Sequence, residues 1–328
     1  MRILITGGAG FIGGHLAERF VRDGHDVVVL DNFDPFYDTR IKEHTVEVCE
    51  AAAEDGDGSY RLIEGDVRDE ALVEDLVEEA EYVYHQAAQA GVRPSVQNPR
   101  KYDDINVDGT LNVLDAARDT GIERVVLASS SSVYGKPEYL PYDESHPTTP
   151  VSPYGASKLA AERYACSYGE VYDFSVVALR YFTVYGPRMR PNRAISNFVS
   201  RCYNDEPPVI YGDGKQTRDF TYVEDVVDVN RTLLESNAAD GQTLNVGSTD
   251  NIEIKTLAEE IRDQLAHDLE LVYEERHDAD SEHTHADTEL ASELLGYEAS
   301  HTIREGVGKF IEWYRENREW YEPLVRQS

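Results

Sequence analysis

Positive charge is scarce in this sequence. The 328 residues include 31 basic residues against 63 acidic ones, so the formal net charge is −32. Nucleic acids and anionic membranes bind basic surfaces, and the composition therefore argues against both as partners. Only seven of the basic residues are lysine, and the acids are spread along the chain, which is typical of proteins that stay soluble in concentrated salt. We expect a halophilic source; the alternative, an acidic tail or disordered segment, fits poorly with 41% hydrophobic residues.

Cysteine and long apolar runs are also scarce. The three cysteines, Cys49, Cys166 and Cys202, are scattered, so neither a disulfide framework nor a metal spacing follows, and we expect small buried thiols. No run of about 18 apolar residues occurs, and the sequence predicts no membrane-spanning helix. The chain opens directly on a strand pattern without an apolar leader, and we therefore expect a soluble cytoplasmic protein.

Four histidines raise the hypothesis of a metal site: His267, His277, His283 and His285. Nothing else around them fits metal-ligand geometry. We expect surface histidines in a polar loop, and no metal.

A glycine-rich turn near the start predicts a dinucleotide site. The apolar strand Arg2–Thr6 runs into the glycines, and a helical pattern follows through Val21. In this arrangement the backbone approaches a pyrophosphate closely and the helix dipole favours the anion. A second strand, Asp26–Leu30, ends at an acid that is placed to accept from the ribose hydroxyls of NAD and to repel the 2′-phosphate of NADP. The predicted cofactor contacts here are Gly7, Gly10, Phe11, Ile12, Gly13, Asp31 and Asn32.

The alternation of strand and helix patterns continues. Tyr60–Glu64 reads as a third strand, and Asp66 after it is a candidate for the adenine amino group. Asp66 is also placed to cap the helix predicted over 70–79, and the two roles are compatible. Tyr82–His85 is a fourth strand, and the small residues of 86–91 would let the backbone lie along the cofactor.

A long helix is predicted over 102–118, with Asn106 facing inward. Asn106 is either a bridging amide near the active site or a satisfied polar group of the core. From these two segments the predicted cofactor contacts are Asp66, Val67, Ala87, Ala88 and Asn106.

Hydroxyl side chains follow the fifth predicted strand, Arg124–Ala128. The carboxyl ends of strands line the ligand crevice of an open α/β sheet, so Ser129–Ser132 stand where chemistry would occur, although serines are also ordinary loop residues. Tyr154 and Lys158 lie four residues apart in a helical segment and share one face. A tyrosine that acts as a base near neutrality needs about 4–5 kcal/mol of phenolate stabilisation, which a neighbouring ammonium helps to supply. The same spacing also occurs by chance in surface helices.

Nine motifs in order along almost the whole chain resemble the extended short-chain dehydrogenase/reductase family. They are Thr6–Gly13, His85–Ala88, Asn106–Thr110, Ser129–Gly135, Tyr154–Lys158, Leu179–Phe182, Val184–Pro187, Tyr211–Gly214 and Arg218–Phe220. Within this family the chain is most similar to the NAD-dependent sugar-nucleotide epimerases and dehydratases. The resemblance implies an α/β fold with a Rossmann-type doubly wound parallel sheet and a smaller C-terminal substrate-binding lobe. It also implies a homodimer formed through the helices at 102–118 and 154–170.

The resemblance assigns roles to individual residues. Tyr154 is the implied base, Lys158 orients the nicotinamide ribose and stabilises the phenolate, and Ser130 hydrogen-bonds the sugar 4-hydroxyl. Ser129 and Tyr181 are implied on the cofactor side, with Phe182 near the nicotinamide. The implied substrate contacts are Ser130, Ser131, Arg93, Thr183, Arg190, Tyr211, Arg218 and Arg276.

For two of these substrate contacts, Tyr211 and Arg276, the sequence leaves the assignment undecided. Gly212–Gly214 after Tyr211 is equally a routine turn. The family pairs an arginine with an aspartate three residues later, whereas here Arg276 and Asp280 are one residue too far apart.

The reaction implied is 4-epimerisation of a UDP-sugar. Related dehydratases and decarboxylases place a carboxylate just before the Val-Tyr-Gly motif, whereas this chain has Ser131 and Ser132. A 4-keto intermediate would then only rotate and be reduced from its other face. A non-catalytic NAD-responsive regulator on the same fold is the alternative from another class; such proteins commonly lose Tyr154 or Lys158, and both are present here.

The sugar is less determined. Galactose-type epimerases usually carry Asn where this chain has Thr183, and the run through Arg190 resembles the UDP-glucuronate 4-epimerases, as does the segment ending at Arg93. In those enzymes a threonine and an arginine hold the C6 carboxylate. Alternatively, Arg188 and Arg190 are solvent-facing or contact the diphosphate, and the substrate is UDP-glucose or UDP-galactose. We expect residues 1–185 to form the NAD-binding domain, with returning segments near 220–247, and 186–328 to bind mainly the UDP-sugar.

Overall fold

Parallel strands form the centre of the molecule. The structure, a computed structural model, describes residues 1–172, 174–248, 250–265, 268–275 and 283–327. The strands are β1 (Arg2–Thr6), β2 (Asp26–Asp31), β3 (Ser59–Glu64), β4 (Tyr82–His85), β5 (Arg124–Ser130), β6 (Ser175–Tyr181), β7 (Thr183–Tyr185), β8 (Val209–Tyr211), β9 (Thr217–Tyr222), β10 (Thr243–Val246), β11 (Asn251–Glu253) and β12 (Val272–Glu274). Seven of them form one sheet in the order β3-β2-β1-β4-β5-β6-β10, with every neighbouring pair parallel. The order reverses between β1 and β4, which opens a ligand crevice at their carboxyl ends.

Helices cover both faces of this sheet. They are α1 (Phe11–Arg22), α2 (Arg40–Glu54), α3 (Glu70–Glu78), α4 (Val92–Gln97), α5 (Pro99–Asp103), α6 (Gly109–Thr120), α7 (Pro153–Val171), α8 (Ala194–Tyr203), α9 (Val223–Glu235), α10 (Ile254–Gln264), α11 (Glu289–Leu295) and α12 (Ile303–Gln327). Residues of α1, α2 and α9 share one hydrophobic core with the sheet, and residues of α3, α6 and α7 share another. Strands buried on both faces need continuous apolar sequence, which explains runs such as the Ile3–Ile5 segment.

Side-chain caps fix where two helices near the site begin. Ser152 accepts a hydrogen bond from the amide of Gly155 at 3.1 Å, and Pro153 opens α7 with its backbone already suited to a first turn. Asp69 caps α3 by accepting from the amide of Leu72. The prediction that Asp66 caps this helix is therefore wrong.

The smaller part of the structure contains two further sheets. One has the order β11-β9-β7, and the other pairs β12 with β8. Helices α8, α10 and α12 contribute Phe198, Leu257 and Phe310 to a common core. This core also includes Tyr185 from β7, Tyr222 from β9 and Ile41 from α2, so the smaller part packs against a helix of the central region.

The doubly wound parallel sheet predicted from the sequence is confirmed, with three local differences. The helix expected over 102–118 is divided into α5, a π-helical turn at Asp104–Asp108, and α6. Strand β5 extends to Ser130, so the first two serines belong to the strand. Of the segments near 220–247, β10 joins the central sheet and α9 packs on α1, whereas β9 lies in the smaller sheet.

The structure shows where the cysteines and some of the histidines lie. Cys49 and Cys202 are buried and Cys166 is half-buried. His283 hydrogen-bonds Thr217, while His267 and His277 lie outside the described residues. Within the described ranges, no group of three or more His, Cys, Asp or Glu is arranged to hold a metal ion, and no helix is long and apolar enough to cross a membrane.

Candidate active site

One cavity of about 370 Å³ opens at the carboxyl ends of the central strands. It collects most of the residues that the sequence predicted for cofactor and substrate. Those lining it are Gly7, Gly10, Phe11, Ile12, Gly13, Asp31, Asn32, Val67, Ala87, Ala88, Ser129, Ser130, Ser131, Tyr154, Lys158, Tyr181, Thr183 and Arg190.

The glycine turn leaves no room for side chains at the start of α1. Gly7 has a φ of +69°, and a Cβ placed on it would lie 2.7 Å from the backbone of Ala87. A Cβ on Gly13 would lie 2.4 Å from the carbonyl oxygen of Gly7. The turn therefore brings backbone amides and the N-terminus of α1 to the cavity wall, an arrangement that fits a pyrophosphate.

Asp31 stands at the end of β2 and is held by three donors. Its Oδ1 accepts from Nζ of Lys42 at 2.8 Å and from the amide of Phe33 at 2.9 Å. Its Oδ2 accepts from the amide of Ala9 at 3.2 Å. The carboxylate is thus oriented at the position where a dinucleotide places its adenosine ribose.

Lys42 is a lining residue that the sequence reasoning missed. It lies on α2 and is buried, and only the folded arrangement of α2 against β2 brings it to Asp31. A signal was available in the scarcity of lysine, because a lone lysine in an acid-rich helix next to a cofactor motif is unusual in this composition.

Tyr154 and Lys158 share the inner face of α7. Tyr154 is half-buried, and its ring meets Tyr102 edge to face with centroids 6.2 Å apart. Burial lowers the pKa of Lys158 to about 8, against the opposing effect of the Glu162 carboxylate one turn further on. The ammonium form still dominates near neutrality, so a cation lies one helical turn from the phenol.

His85 is a neutral structural group. It lies between Oγ1 of Thr6 at 2.7 Å and Oγ1 of Thr110 at 3.0 Å. Burial, and secondarily the charge of Lys158, lower the pKa of His85 to about 3. The imidazole therefore ties β4 to β1 and α6 and is not a proton donor near neutrality.

The serines at the end of β5 have different surroundings. Oγ of Ser130 accepts from the amide of Ser132 at 3.2 Å, and both residues line the cavity. Ser129 also lines the cavity, but its hydroxyl donates to Glu162 at 2.6 Å. Glu162 is paired in turn with Arg180 at 2.7 Å, so the hydroxyl of Ser129 belongs to a buried network. Ser129 stays a predicted cofactor contact through its place on the cavity wall, while its hydroxyl is engaged in this network.

Arginines line the cavity on the side of α8. The guanidinium of Arg190 lies over the ring of Phe36 at 5.1 Å, and burial lowers its pKa. Arg193, which the sequence reasoning missed, lines the same wall, and the positive charge of Arg190 is the main cause that lowers the pKa of Arg193. The alternative of a solvent-facing Arg190 is wrong. It is also wrong for Arg188, which is buried and pairs with Glu18 at 2.6 Å.

Asp66 does not itself line the cavity. It accepts from both side-chain nitrogens Nε and Nη2 of Arg68 at 2.9 and 2.8 Å and from Nδ2 of Asn32 at 2.8 Å. The Arg68 hydrogen bonds hold the pKa of Asp66 well below its usual range. Its neighbours Gly65 and Val67 line the cavity, so the segment reaches the site through them.

Asn106 is buried, and its side-chain amide bridges two segments without lining the cavity. Its Oδ1 accepts from the amide of Gln89 at 2.7 Å, and its Nδ2 donates to Oγ of Ser157 at 2.9 Å. The π-helical turn directs this side chain inward. Asn106 therefore ties the loop after β4 to α7, and it supports the cavity from behind.

Three predicted substrate contacts lie elsewhere and one is not described. Arg93 is exposed on α4, Tyr211 is exposed on β8, and Arg218 lies on β9; the cavity lining includes none of them. Arg276 lies outside the described residues. The cavity thus collects most of the predicted contacts to the cofactor and the reacting sugar, while the predicted nucleotide-diphosphate contacts are not gathered in it.

Several known proteins are similar to this chain in sequence and in fold. The NAD dependent epimerase/dehydratase family matches residues 3–247. A putative UDP-glucose 4-epimerase of Methanocaldococcus jannaschii is 35% identical, over 96% of this chain and 99% of its own length. A probable UDP-glucuronate 4-epimerase of Rhizobium meliloti is 34% identical, over 97% and 98%.

Among solved structures, UDP-glucuronic acid 4-epimerase from Bacillus cereus, in complex with UDP-glucuronic acid and NAD, superposes with a TM-score of 0.89 at 29% identity. The match covers 97% of this chain and all of that one. The glycine turn, the acid at the end of β2 and the Tyr154–Lys158 pair lie together in a cavity, as the motif order predicted. The chain belongs to the NAD-dependent epimerase/dehydratase family.

Proposed function

We propose that this protein is an NAD-dependent UDP-sugar 4-epimerase that acts on UDP-glucuronate in preference to UDP-glucose. The observation that carries the proposal is the convergence of Tyr154, Lys158 and Ser130 on the cavity wall beside Arg190. Family members named as UDP-glucuronate and UDP-glucose 4-epimerases, similar over nearly the full chain, support the same reaction. The presence of both Tyr154 and Lys158 argues against a non-catalytic regulator.

The cofactor side of the cavity suits NAD. The glycine turn and the N-terminus of α1 would hold the diphosphate, Asp31 with Lys42 the adenosine ribose, and Lys158 the nicotinamide ribose. The carboxylate of Asp31 disfavours a 2′-phosphate and hence NADP. Bound there, NAD would supply the reversible hydride transfer at C4 of the sugar that 4-epimerisation requires.

Tyr154 provides the proton transfer. Its phenolate removes the proton of the sugar 4-hydroxyl as the C4 carbonyl forms, and the phenol returns that proton when the carbonyl is reduced. The Lys158 ammonium stabilises the phenolate, and Ser130 donates to the sugar 4-oxygen. The Ser132 amide that donates to Ser130 Oγ orients that hydroxyl for this role.

The fate of the ketone follows from the side chains after β5. Loss of the 6-hydroxyl from a 4-keto sugar needs an acid and a base near C5 and C6. Ser131 and Ser132 occupy the cavity wall there and offer hydroxyls only. Rotation of the keto sugar and reduction from its other face is the course that these groups allow.

The preference for a uronate rests on Thr183 and Arg190. A 4-keto uronate is a β-keto acid, which loses CO2 when its carboxylate electrons flow toward the ketone. A guanidinium that hydrogen-bonds the carboxylate keeps the charge on its oxygens and opposes that loss. Arg190 is held by its contact with Phe36 on the wall that carries Thr183, which supports this role.

UDP-glucose is the second candidate substrate. The M. jannaschii relative named as a putative UDP-glucose 4-epimerase is 35% identical to this chain. Tyr211, Arg218 and Arg276 remain proposed contacts to the UDP moiety, Arg93 remains a proposed substrate contact, and 186–328 remains the proposed main substrate-binding region.

A homodimer is part of the proposal. On α7 the side chains of Tyr164, Val171 and Tyr172 are 45%, 67% and 44% exposed. Tyr164, Val171 and Tyr172 recur at helical spacing and form one outward stripe, whereas Tyr168 between them packs against the core and its hydroxyl donates to Asp115. A stripe of this kind on the helix that carries Tyr154 is suited to packing against the same helix of a second copy.

The test is product analysis of the purified protein at high salt, without added NAD, with UDP-glucuronate and UDP-glucose in separate reactions. We expect UDP-galacturonate from the first at higher kcat/KM than UDP-galactose from the second. Tyr154→Phe should lower kcat by at least about 100-fold. Exposed Tyr139 on the loop before α7 offers a matched control, and Tyr139→Phe should retain full turnover. Turnover of UDP-glucose alone would refute the uronate preference, and an undiminished Tyr154→Phe enzyme would refute the mechanism.

A further inference from the structure

In the part of the chain that the structure describes, the acidic side chains that line the cavity have ion-pair partners, whereas two of the basic side chains do not. Asp31 is paired with Lys42 and Asp34 with Lys101, each with 2.8 Å between nitrogen and oxygen. Within the described ranges, no carboxylate lies within ion-pair distance of the Arg190 or Arg193 side chains. The acids of the cavity are therefore neutralised by the protein, and the arginines are not.

This imbalance is notable because the chain carries a net charge of −32. The charge of Arg190 lowers the pKa of Arg193, and Tyr154 is the group that opposes this effect. Tyrosines also oppose the lowering of the pKa of Arg190 by burial. Two like charges held on one wall gain stabilisation when an anion binds between them.

Arg193 is anchored through its backbone and leaves its side chain available. It directly precedes α8, and its carbonyl accepts from the amide and Nδ2 of Asn197 at 3.0 and 3.1 Å. Its side chain lines the cavity while remaining exposed, whereas Arg190 is fixed over Phe36. A substitution at Arg193 therefore removes a charge from the site without disturbing a buried contact.

We propose that Arg193 is a further specificity-determining residue that binds the C6 carboxylate of a uronate together with Arg190. The inference rests on the proposed function and names a group on this chain that reads the acid. Tyr154 acts at C4 of the sugar, and C6 is two bonds from C4. The diphosphate is attached at C1, on the other side of the ring. Arg193 lines the cavity that also holds Tyr154 and Arg190, so its guanidinium is placed for the carboxylate.

The experiment compares Arg193→Met and Arg193→Lys with Arg201→Met at one salt concentration. Arg201 lies on α8, the helix that Arg193 directly precedes, pairs with Glu206 and donates to the carbonyl of Pro207, so it controls for the loss of one charge from this segment. The measurements are KM and kcat for UDP-glucuronate, and competitive inhibition constants for UDP and UDP-glucose, which lack the carboxylate.

Removal of a charge-assisted hydrogen bond should raise KM for UDP-glucuronate by about tenfold to hundredfold in Arg193→Met. The inhibition constants for UDP and UDP-glucose should stay within about twofold, since neither ligand offers the carboxylate. Arg193→Lys should fall between Arg193→Met and wild type, because it keeps the charge and loses the planar fork.

A parallel weakening of UDP, UDP-glucose and UDP-glucuronate would place Arg193 on the diphosphate and overturn the inference. Equal behaviour of Arg193→Met and Arg201→Met, in an enzyme that converts UDP-glucuronate, would overturn the inference alone. A wild-type enzyme that converts UDP-glucose and not UDP-glucuronate would overturn the proposed substrate, and the role of Arg193 with it.

Discussion

Nζ of Lys42 donates to Oδ1 of Asp31 at 2.8 Å, and both side chains are buried. The acid that we propose selects the cofactor is therefore half of an ion pair between α2 and the end of β2. Removing either partner would leave the other charge buried and alone, which is costly.

The pair predicts how cofactor preference can be changed. Asp31→Ser removes the repulsion toward a 2′-phosphate and leaves the Lys42 ammonium to attract it. We expect the ratio of NADP to NAD affinity to rise by about 10- to 100-fold, as measured by calorimetry on cofactor-free protein. Adding Lys42→Met should cancel much of this rise. An unchanged ratio in Asp31→Ser would show that Asp31 does not face the adenosine ribose.

Burial of Lys158 predicts a conflict between stability and activity. Its pKa is about 8 in the folded chain, below the ordinary value near 10.4 of an unfolded lysine. Lys158→Met should therefore stabilise the cofactor-free protein at pH 7 by about 1–3 kcal/mol, while activity falls by at least about 100-fold. The exposed Lys136 supplies the control, since Lys136→Met should change neither quantity appreciably.

The pH dependence of this effect has a definite sign. Between about pH 8 and 10.4 the unfolded chain binds more protons at this lysine than the folded chain. Wild-type stability should rise with pH across this window relative to Lys158→Met, so the advantage of the variant should shrink. Thermal unfolding at fixed salt from pH 7 to 10 measures it, and a constant difference would contradict the lowered pKa.

Glu162 and Arg180 form a buried ion pair that fixes the hydroxyl of Ser129. Both side chains are at most 2% exposed, so Glu162→Ala strands the guanidinium and should cost about 3–5 kcal/mol of unfolding free energy. Glu162→Leu with Arg180→Met should recover most of that loss. Denaturant unfolding measures both, and the exposed pair Arg315–Glu312 gives the comparison, where Glu312→Ala should cost less than about 1 kcal/mol. A similarly small cost at Glu162 would mean that water reaches Arg180.

The outward stripe on α7 predicts the assembly state. Tyr164→Glu with Val171→Glu places charges in the proposed dimer contact, and the variant should be a monomer by light scattering at the salt concentration where wild type is a dimer. Val151→Glu, at an exposed apolar position outside the helix, is the matched control and should leave the dimer intact. A wild-type monomer would refute the proposed dimer directly.

The sequence predicts the buried strands and the glycine turn well, because short runs of neighbouring residues determine them. The apolar runs of β1 and β4 and the glycine turn were found at their observed positions, because buried parallel strands and a phosphate turn need specific residues in a row. The order of motifs likewise placed Tyr154 and Lys158 in the crevice. In each of these features the residues that determine it lie within a few positions of one another in the sequence.

The remaining features depend on tertiary contacts. Lys42 and Arg193 reach the cavity only after α2 and α8 are packed, and none of the motifs includes either residue. The hydroxyl of Ser129 is taken by Glu162, more than thirty residues later, and Asn106 is turned inward by a π-helical turn that periodicity does not reveal. Asp69, not Asp66, caps α3, because the register of the cap depends on the path of the preceding loop.

The most direct test of the central claim follows the hydrogen at C4. UDP-glucuronate deuterated at C4 is converted by the purified protein without added NAD, and the product is analysed by NMR. Because the hydride taken from C4 is returned to the same carbon, we predict UDP-galacturonate that retains deuterium at C4. Loss of the label from C4, or entry of solvent deuterium at C5 of unlabelled substrate in D2O, would contradict 4-epimerisation through a transient ketone.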